Sequence, residues 1–138
     1  MVKEKLIPTI NLKENNLIKT LLILSTIVLL SWTSSEKITK GTATYYGQYW
    51  TGRLTSSGER FHKDSLTAAH KHYKFGTIVK VVNLKNDSIV FVKINDRLPK
   101  SSKHIIDLSY GTAKQLNFLR GGVVPVTLEP IDTAQIKK

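Results

Sequence analysis

Two β-branched runs, Thr77 to Asn83 and Ser88 to Ile94, flank the short segment Leu84-Lys85-Asn86-Asp87, and this pairing constrains the fold more than any other feature of the chain. Branched side chains suit a pleated surface, and Asn-Asp suits a tight reversal, so the segment reads as a β-hairpin. Both runs are more apolar than simple alternation would give, which predicts core strands with little surface facing solvent. The second run ends in Asn95-Asp96-Arg97-Leu98-Pro99, so a carboxylate leaves an apolar strand at the start of a proline-stiffened loop. A rigid strand that releases an acid at its end is one way to build an acid/base site.

Around this hairpin the pattern stays β. Gly41 to Gly47, rich in Thr and aromatics between glycines, suits a first strand. Gly47 to Ser65 shows no periodicity and holds the turn signal Thr55-Ser56-Ser57-Gly58, so it reads as a long loop of the kind that carries function. Ile105 to Leu108 is a short strand, and Ser109 can cap a helix from Tyr110 to Leu116 that ends at Asn117 and Gly121-Gly122. Val123 to Leu128 closes the sheet, with Pro125 favouring an edge or a bulge. About six short strands and one small helix make an all-β barrel.

The first 35 residues do not share this pattern. Lys3, Lys5, Lys13 and Lys19 lead into the apolar stretch Leu21 to Leu30, which gives way to small polar residues. A basic lead, about ten apolar residues and then small residues is the layout of a secretory signal, since a bilayer span needs roughly 20. Residues 1–35 therefore read as a signal peptide or N-terminal anchor, 36–131 as the barrel and 132–138 as a polar tail. The chain contains no cysteine, which excludes a disulfide framework and lipid attachment through a cysteine. Its net charge of +11 favours polyanions, which outside a cell are wall polymers, acidic glycans and lipid headgroups. The lysines are scattered singly through loops without an aromatic-interleaved basic strip, so nucleic acid is not the expected partner.

Four groups carry candidate chemistry: Glu59, His70, Asp96 and Asp107. Each also has a plain structural reading. Glu59 follows a Ser/Gly turn where an acid is commonly just solvated, and His70 ends the small-residue stretch Leu66-Thr67-Ala68-Ala69 where a histidine is commonly structural. Asp96 beside Arg97 suits an ion pair or a loop cap, and Asp107, framed by Ile106 and Leu108, suits a structural carboxylate held by hydrogen bonds. His62, His70, His72 and His104 form no ligand pair at a recognised spacing, so no metal is expected.

Taken in order, these segments resemble the RlpA-like, or rare lipoprotein A, family of double-psi β-barrel proteins. The resemblance runs through Gly41 to Gly47, Gly52 to Glu59, Leu66 to His70, Val79 to Leu84, Val92 to Arg97 and Ile105 to Tyr110, nearly all of the predicted barrel. It implies a six-stranded double-psi β-barrel and a lytic transglycosylase that cuts peptidoglycan between N-acetylmuramic acid and N-acetylglucosamine. In such an enzyme the C6 hydroxyl of the sugar attacks in place of water and leaves a 1,6-anhydro end, so two water-activating carboxylates are not required. By this resemblance Asp96 is the general acid/base, with Glu59 raising its pKa and a protonated His70 lowering it. Tyr46 and Trp50, with Tyr45 and Tyr49, offer stacking surface for sugars, and Arg53 and Arg97 offer polar contacts. The resemblance implies no cofactor, a monomer, glycan strands as partner, and a place in the periplasm or cell envelope with a possible membrane tether through residues 1–35. Two departures stand out: Leu98 sits where the family usually has a glycine, and His62 where an acid or amide is common. The same barrel occurs in expansin-like and barwin-like proteins, so a non-catalytic module that binds wall glycan is the competing expectation.

Overall fold

The sequence hairpin forms as strands β3 (Ile78–Asn83) and β4 (Ile89–Asp96), antiparallel from Ile78 opposite Lys93 to Val82 opposite Ile89. Asp87, in the connection, takes φ 58°, the left-handed backbone that Asp tolerates at a reversal. The computed structural model describes residues 37–132 and, further upstream, residues 16, 17, 19 and 20. The signal or anchor expected over 1–35 and the tail expected over 132–138 otherwise lie outside the described residues. Among those described, no helix is long and apolar enough to cross a membrane.

The other strands are β1 (Thr39–Tyr45), β2 (Thr67–His70), β5 (Ile106–Leu108) and β6 (Val124–Ile131), with helix α1 over Tyr110–Gln115. They close into a barrel in the order β1-β5-β2-β4-β3-β6, and β6 pairs back onto β1. Two of the pairings, β1 with β5 and β2 with β4, are parallel. Closure leaves no exposed edge for another chain to pair with.

Alternation fills the barrel. Val79 and Val81 of β3, Val90, Val92 and Ile94 of β4, Ile106 and Leu108 of β5 and Val124, Val126 and Leu128 of β6 form one buried cluster. Ala43 and Ala68 join it from β1 and β2, and Ala113, Leu116 and Phe118 join it from the helix and the segment after it. The alternation is stricter than the sequence suggested: Ile89 and Phe91 point outward and stay 51% and 52% exposed, so the hairpin does face solvent on one side. Pro125 lies opposite Thr42 in the β1 ladder, and the β6 ladder with β3 begins only at Val126 opposite Asn83, so its missing N–H removes no bond to β3.

Helix α1 starts where Ser109 Oγ accepts from the Thr112 amide at 3.2 Å. It ends before Asn117, whose φ is 55°. The Leu116 carbonyl at that end accepts from Asn83 Nδ2 at 2.7 Å, Asn86 Nδ2 at 3.2 Å and Ser88 Oγ at 3.1 Å, which fastens the helix to the hairpin turn.

Candidate active site

The site begins with a fault in a ladder. Along the parallel β2–β4 pairing Ala68 faces Ile94, but Ala69 faces Asp96, so Asn95 is an extra residue and β4 bulges there. The bulge turns the strand end outward and leaves the Asn95 backbone outside the ladder. The Asn95 carbonyl accepts from the Ser57 amide at 3.1 Å, and Asn95 Nδ2 donates to Glu59 Oε2 at 3.1 Å.

Both contacts come from the long loop, which is ordered by its own pairing. Gly52 and Arg53 exchange backbone bonds with Phe61, Leu54 bridges Arg60, and the Thr55 amide donates to the Glu59 carbonyl. This small hairpin turns at Gly58, whose φ of 86° suits glycine. Its tip is thereby pressed against the end of β4.

There Asp96 collects four hydrogen bonds. Oδ1 accepts from the Ser56 amide at 2.9 Å, Ser56 Oγ at 2.6 Å and the Arg97 amide at 2.8 Å; Oδ2 accepts from the Tyr46 hydroxyl at 3.0 Å. Burial pushes the Asp96 carboxyl up, but the bonds from Ser56, Arg97 and Tyr46 outweigh it and hold the group below the usual carboxylate range. Tyr46 is held as a neutral phenol, its pKa raised by burial and by the Asp96 carboxylate it serves.

Glu59 does not face Asp96. Its Oε1 accepts from Lys93 Nζ at 2.8 Å and its Oε2 from Asn95, and these two bonds keep it ionised more readily than an ordinary glutamate. The expected upward pressure of Glu59 on Asp96 is therefore absent, because the charge beside Glu59 is a lysine. His70 departs further. It follows Ala69 on β2 opposite the core residue Ile106, its ring stacks on Tyr73 with centroids 3.8 Å apart, and Nδ1 accepts from the His72 and Tyr73 amides at 3.1 and 3.0 Å. Burial first, and then the neighbouring His72, Arg97 and Lys71 side chains, lower its pKa to about 4. The ring is neutral with its proton on Nε2, so it supplies no cationic charge to lower Asp96.

Arg97 is likewise occupied. Its guanidinium lies over the Phe75 ring at 3.8 Å and Nη1 donates to the Tyr73 carbonyl at 2.9 Å, which ties the segment after β2 to the end of β4. Arg53 stacks over Trp50 at 4.6 Å, and Trp50 and Tyr49 are 48% and 97% exposed, an aromatic surface at the entrance to the loop. Tyr46 instead turns inward, edge-on to Phe61 at 5.1 Å. Asp107 accepts from Thr44 Oγ1 at 2.9 Å, and burial raises its pKa against the lowering pull of Thr44 and His104. Leu98 is buried, and among the described residues only Asp87 and Asn117 combine a side chain beyond glycine with positive φ, so its place in the loop does not call for the backbone freedom of glycine.

A model of the family described as lytic transglycolase matches residues 38–128. The chain belongs to the lytic transglycolase family. It is 46% identical over 91 residues to the endolytic peptidoglycan transglycosylase RlpA of Campylobacter jejuni, covering 66% of this chain and 33% of that protein. To the protein of the same name from Pseudomonas aeruginosa strain UCBPP-PA14 it is 41% identical over 95 residues, covering 69% and 28%. The chain thus spans about a third or less of the length of these relatives. Among solved structures, a Streptomyces papain inhibitor superposes with a TM-score of 0.58 at 23% identity over 70% of this chain and 96% of the inhibitor. A Clavibacter michiganensis expansin in complex with cellohexaose does so with 0.57 at 18% identity, over 70% and 51%. These two likenesses show the fold, the six-stranded double-psi barrel.

Within this lytic transglycolase barrel the residues brought together are Asp96, Tyr46 and Ser56 on one side of the bulge and Glu59, Lys93 and Asn95 on the other. Ser56, Lys93, Asn95 and Thr44 were not singled out by sequence. Ser56 sat inside the Thr55-Ser56-Ser57-Gly58 turn signal, and Asn95 next to Asp96, but nothing in the chain order says that a hydroxyl 40 residues upstream meets that carboxylate.

Proposed function

We propose that this chain is a peptidoglycan lytic transglycosylase of the cell envelope, cutting the bond between N-acetylmuramic acid and N-acetylglucosamine and closing the muramic acid C6 hydroxyl onto C1. The observation that carries the reading is the Asp96 carboxylate at the mouth of a bulged strand, kept ionised by four donors. Oδ1 has three donors, whereas Oδ2 has only Tyr46, so one lone-pair direction on Oδ2 remains to accept a proton. A base poised in that way is what an internal hydroxyl nucleophile needs.

In this reading Asp96 takes the C6 proton and its charge stabilises the positive character that develops at C1 as the leaving sugar departs. Glu59, paired with Lys93, holds the bulge through Asn95 and is a positioning residue. His70 is another, because its Nδ1 fixes the two amides that precede the Arg97 anchor. Tyr49 and Trp50 offer faces on which sugar rings stack. The chain's net charge of +11 draws it toward anionic wall polymer.

The test is incubation of the full chain, wild type and Asp96→Asn, with purified peptidoglycan and with peptide-stripped glycan strands, followed by mass analysis of what is released. Anhydro-ended products from the wild type and a loss of about 10²-fold or more in the variant support the reading. Sedimentation with the wall and no soluble product from either protein supports a glycan-binding module instead.

A further inference from the structure

Strands β5, β2 and β4 lie side by side, and Ala69 of β2 is in register with Asp107 on one flank and Asp96 on the other. Residues on one register row share a face of the sheet. Thr44 of β1, opposite Asp107, extends the same row. Between the two carboxylate-bearing strands the intervening position contributes only the methyl of Ala69. Neighbouring strands are about 4.8 Å apart, so the two backbones stand about 10 Å apart. That is a frame on which paired acids, about 5–9.5 Å apart in glycoside-cleaving enzymes, flank one bond.

Tyr46 ties the row together. Its amide donates to the Leu108 carbonyl on β5 at 2.8 Å, and its hydroxyl reaches Asp96 on β4. Its ring therefore crosses over β2, where Ala69 is only 1% exposed.

The two acids are equipped differently. A proton can enter Asp96 only at the remaining lone pair of Oδ2, beside the Tyr46 hydroxyl, because Oδ1 is held by three donors, two of them backbone N–H groups that cannot turn around. Asp107 accepts one bond, from Thr44 at Oδ1, and its Oδ2 accepts none among the described residues. No buried side-chain oxygen among them lacks a partner, so that Oδ2 is not sealed from solvent and has a lone pair open to a proton. The ionisable groups that bear on Asp107 are His104, which favours its charged form, Asp96, which opposes it, and Tyr46, a phenol that the Asp107 charge helps to keep neutral.

We propose that Asp107 is the proton donor of the reaction and Asp96 the proton acceptor, a division of labour across Ala69. This rests on the transglycosylase reading above. Asp107 gives its proton to the glycosidic oxygen as the bond from that oxygen to C1 breaks, so the leaving sugar departs as an alcohol. The C6 oxygen forms its bond to C1 and its proton passes to Asp96. One proton then returns from Asp96 to Asp107 through solvent, and no other reactant is consumed.

The experiment compares the full chain as wild type, Asp107→Asn and Asp96→Asn on two substrates. One is peptide-stripped glycan; the other is a glycan oligomer whose terminal muramic acid carries 4-nitrophenol at C1, a leaving group that needs no protonation. Asp107→Asn is expected to lose about 10²–10⁴-fold in turnover on the glycan and far less on the nitrophenyl substrate. Asp96→Asn is expected to lose both. Equal losses of Asp107→Asn on the two substrates, or full turnover on the glycan, overturn the proposal. A second variant guards against misfolding: Thr44→Val removes the bond that lowers Asp107 and is expected to move the alkaline limb of kcat/KM to higher pH, whereas an unmoved limb overturns the assignment. A wild type that releases no anhydro product from either substrate refutes the transglycosylase reading itself, a result distinct from the loss patterns of the variants.

Discussion

Replacing Ser56 by alanine removes the shortest of the four bonds to Asp96, the 2.6 Å contact from Ser56 Oγ, and leaves the two amides and the Tyr46 hydroxyl in place. A hydrogen bond to a charged group contributes roughly 1.5–3 kcal/mol. Ser56 is exposed and Asp96 only partly buried, so water replaces much of what is lost and the expected cost is about 1 kcal/mol. For a barrel of this size that lowers the melting temperature by about 4–8 °C. The pH dependence separates this cause from a general loosening of the loop. Because the folded pKa of Asp96 lies below its ordinary value, its bonds stabilise the fold above the unfolded pKa of about 3.9 and are lost as pH falls through the folded value. The deficit of Ser56→Ala is therefore full at neutral pH and closes in strong acid. Calorimetric melts of wild type and variant at neutral pH and at about pH 2 measure it. A deficit of equal size at both pH values, or none at neutral pH, refutes the account of how Asp96 is held.

Ile94→Ala, at a fully buried position beside the bulge, is expected to cost about 2–5 kcal/mol, read from the urea midpoint at unchanged m value. Gly111→Ala, which helix propensity alone would favour, is expected to destabilise instead, because its Cβ would lie 2.8 Å from the Asp64 Cα and 2.9 Å from the Asp64 carbonyl oxygen; thermal melts give the sign. His70 is expected to titrate near pH 4 with its proton on Nε2 at neutral pH, observable in nitrogen-detected NMR. Since the unfolded histidine binds its proton near pH 6.5, stability is expected to fall as pH drops from there toward about 4, and a His70 that titrates near 6.5 in the folded state contradicts its burial on Tyr73.

Where local pattern dictates structure, the chain was legible. The branched runs of β3 and β4, the Ser109 cap and the Asn117 stop each act through residues close in sequence. Strand β2 was not, because Thr67-Ala68-Ala69-His70 has no branched or aromatic signature beyond one threonine and becomes a strand only by being laddered on both sides, to β4 and β5. The bulge at Asn95 was equally silent, since an extra residue shows only against a partner strand. For the site, the resemblance pointed to Asp96, Glu59 and His70, but their electrostatics depend on partners far along the chain. Lys93 takes up Glu59 from 34 residues away, and Ser56 takes up Asp96 from 40. Both long-range pairings follow from the loop hairpin folding back against β4.

The row Thr44, Asp107, Ala69, Asp96 draws on β1, β5, β2 and β4, and the barrel that holds it closes only when β6 pairs with β1, joining Thr39 to Leu128. Contacts of such sequence separation form late, because a long loop must be closed before any of them is rewarded. A chain still being synthesised, or halted before β6, therefore has no closed barrel to hold that row. The candidate site is complete only with β6, so the order of assembly delays it until the barrel is whole.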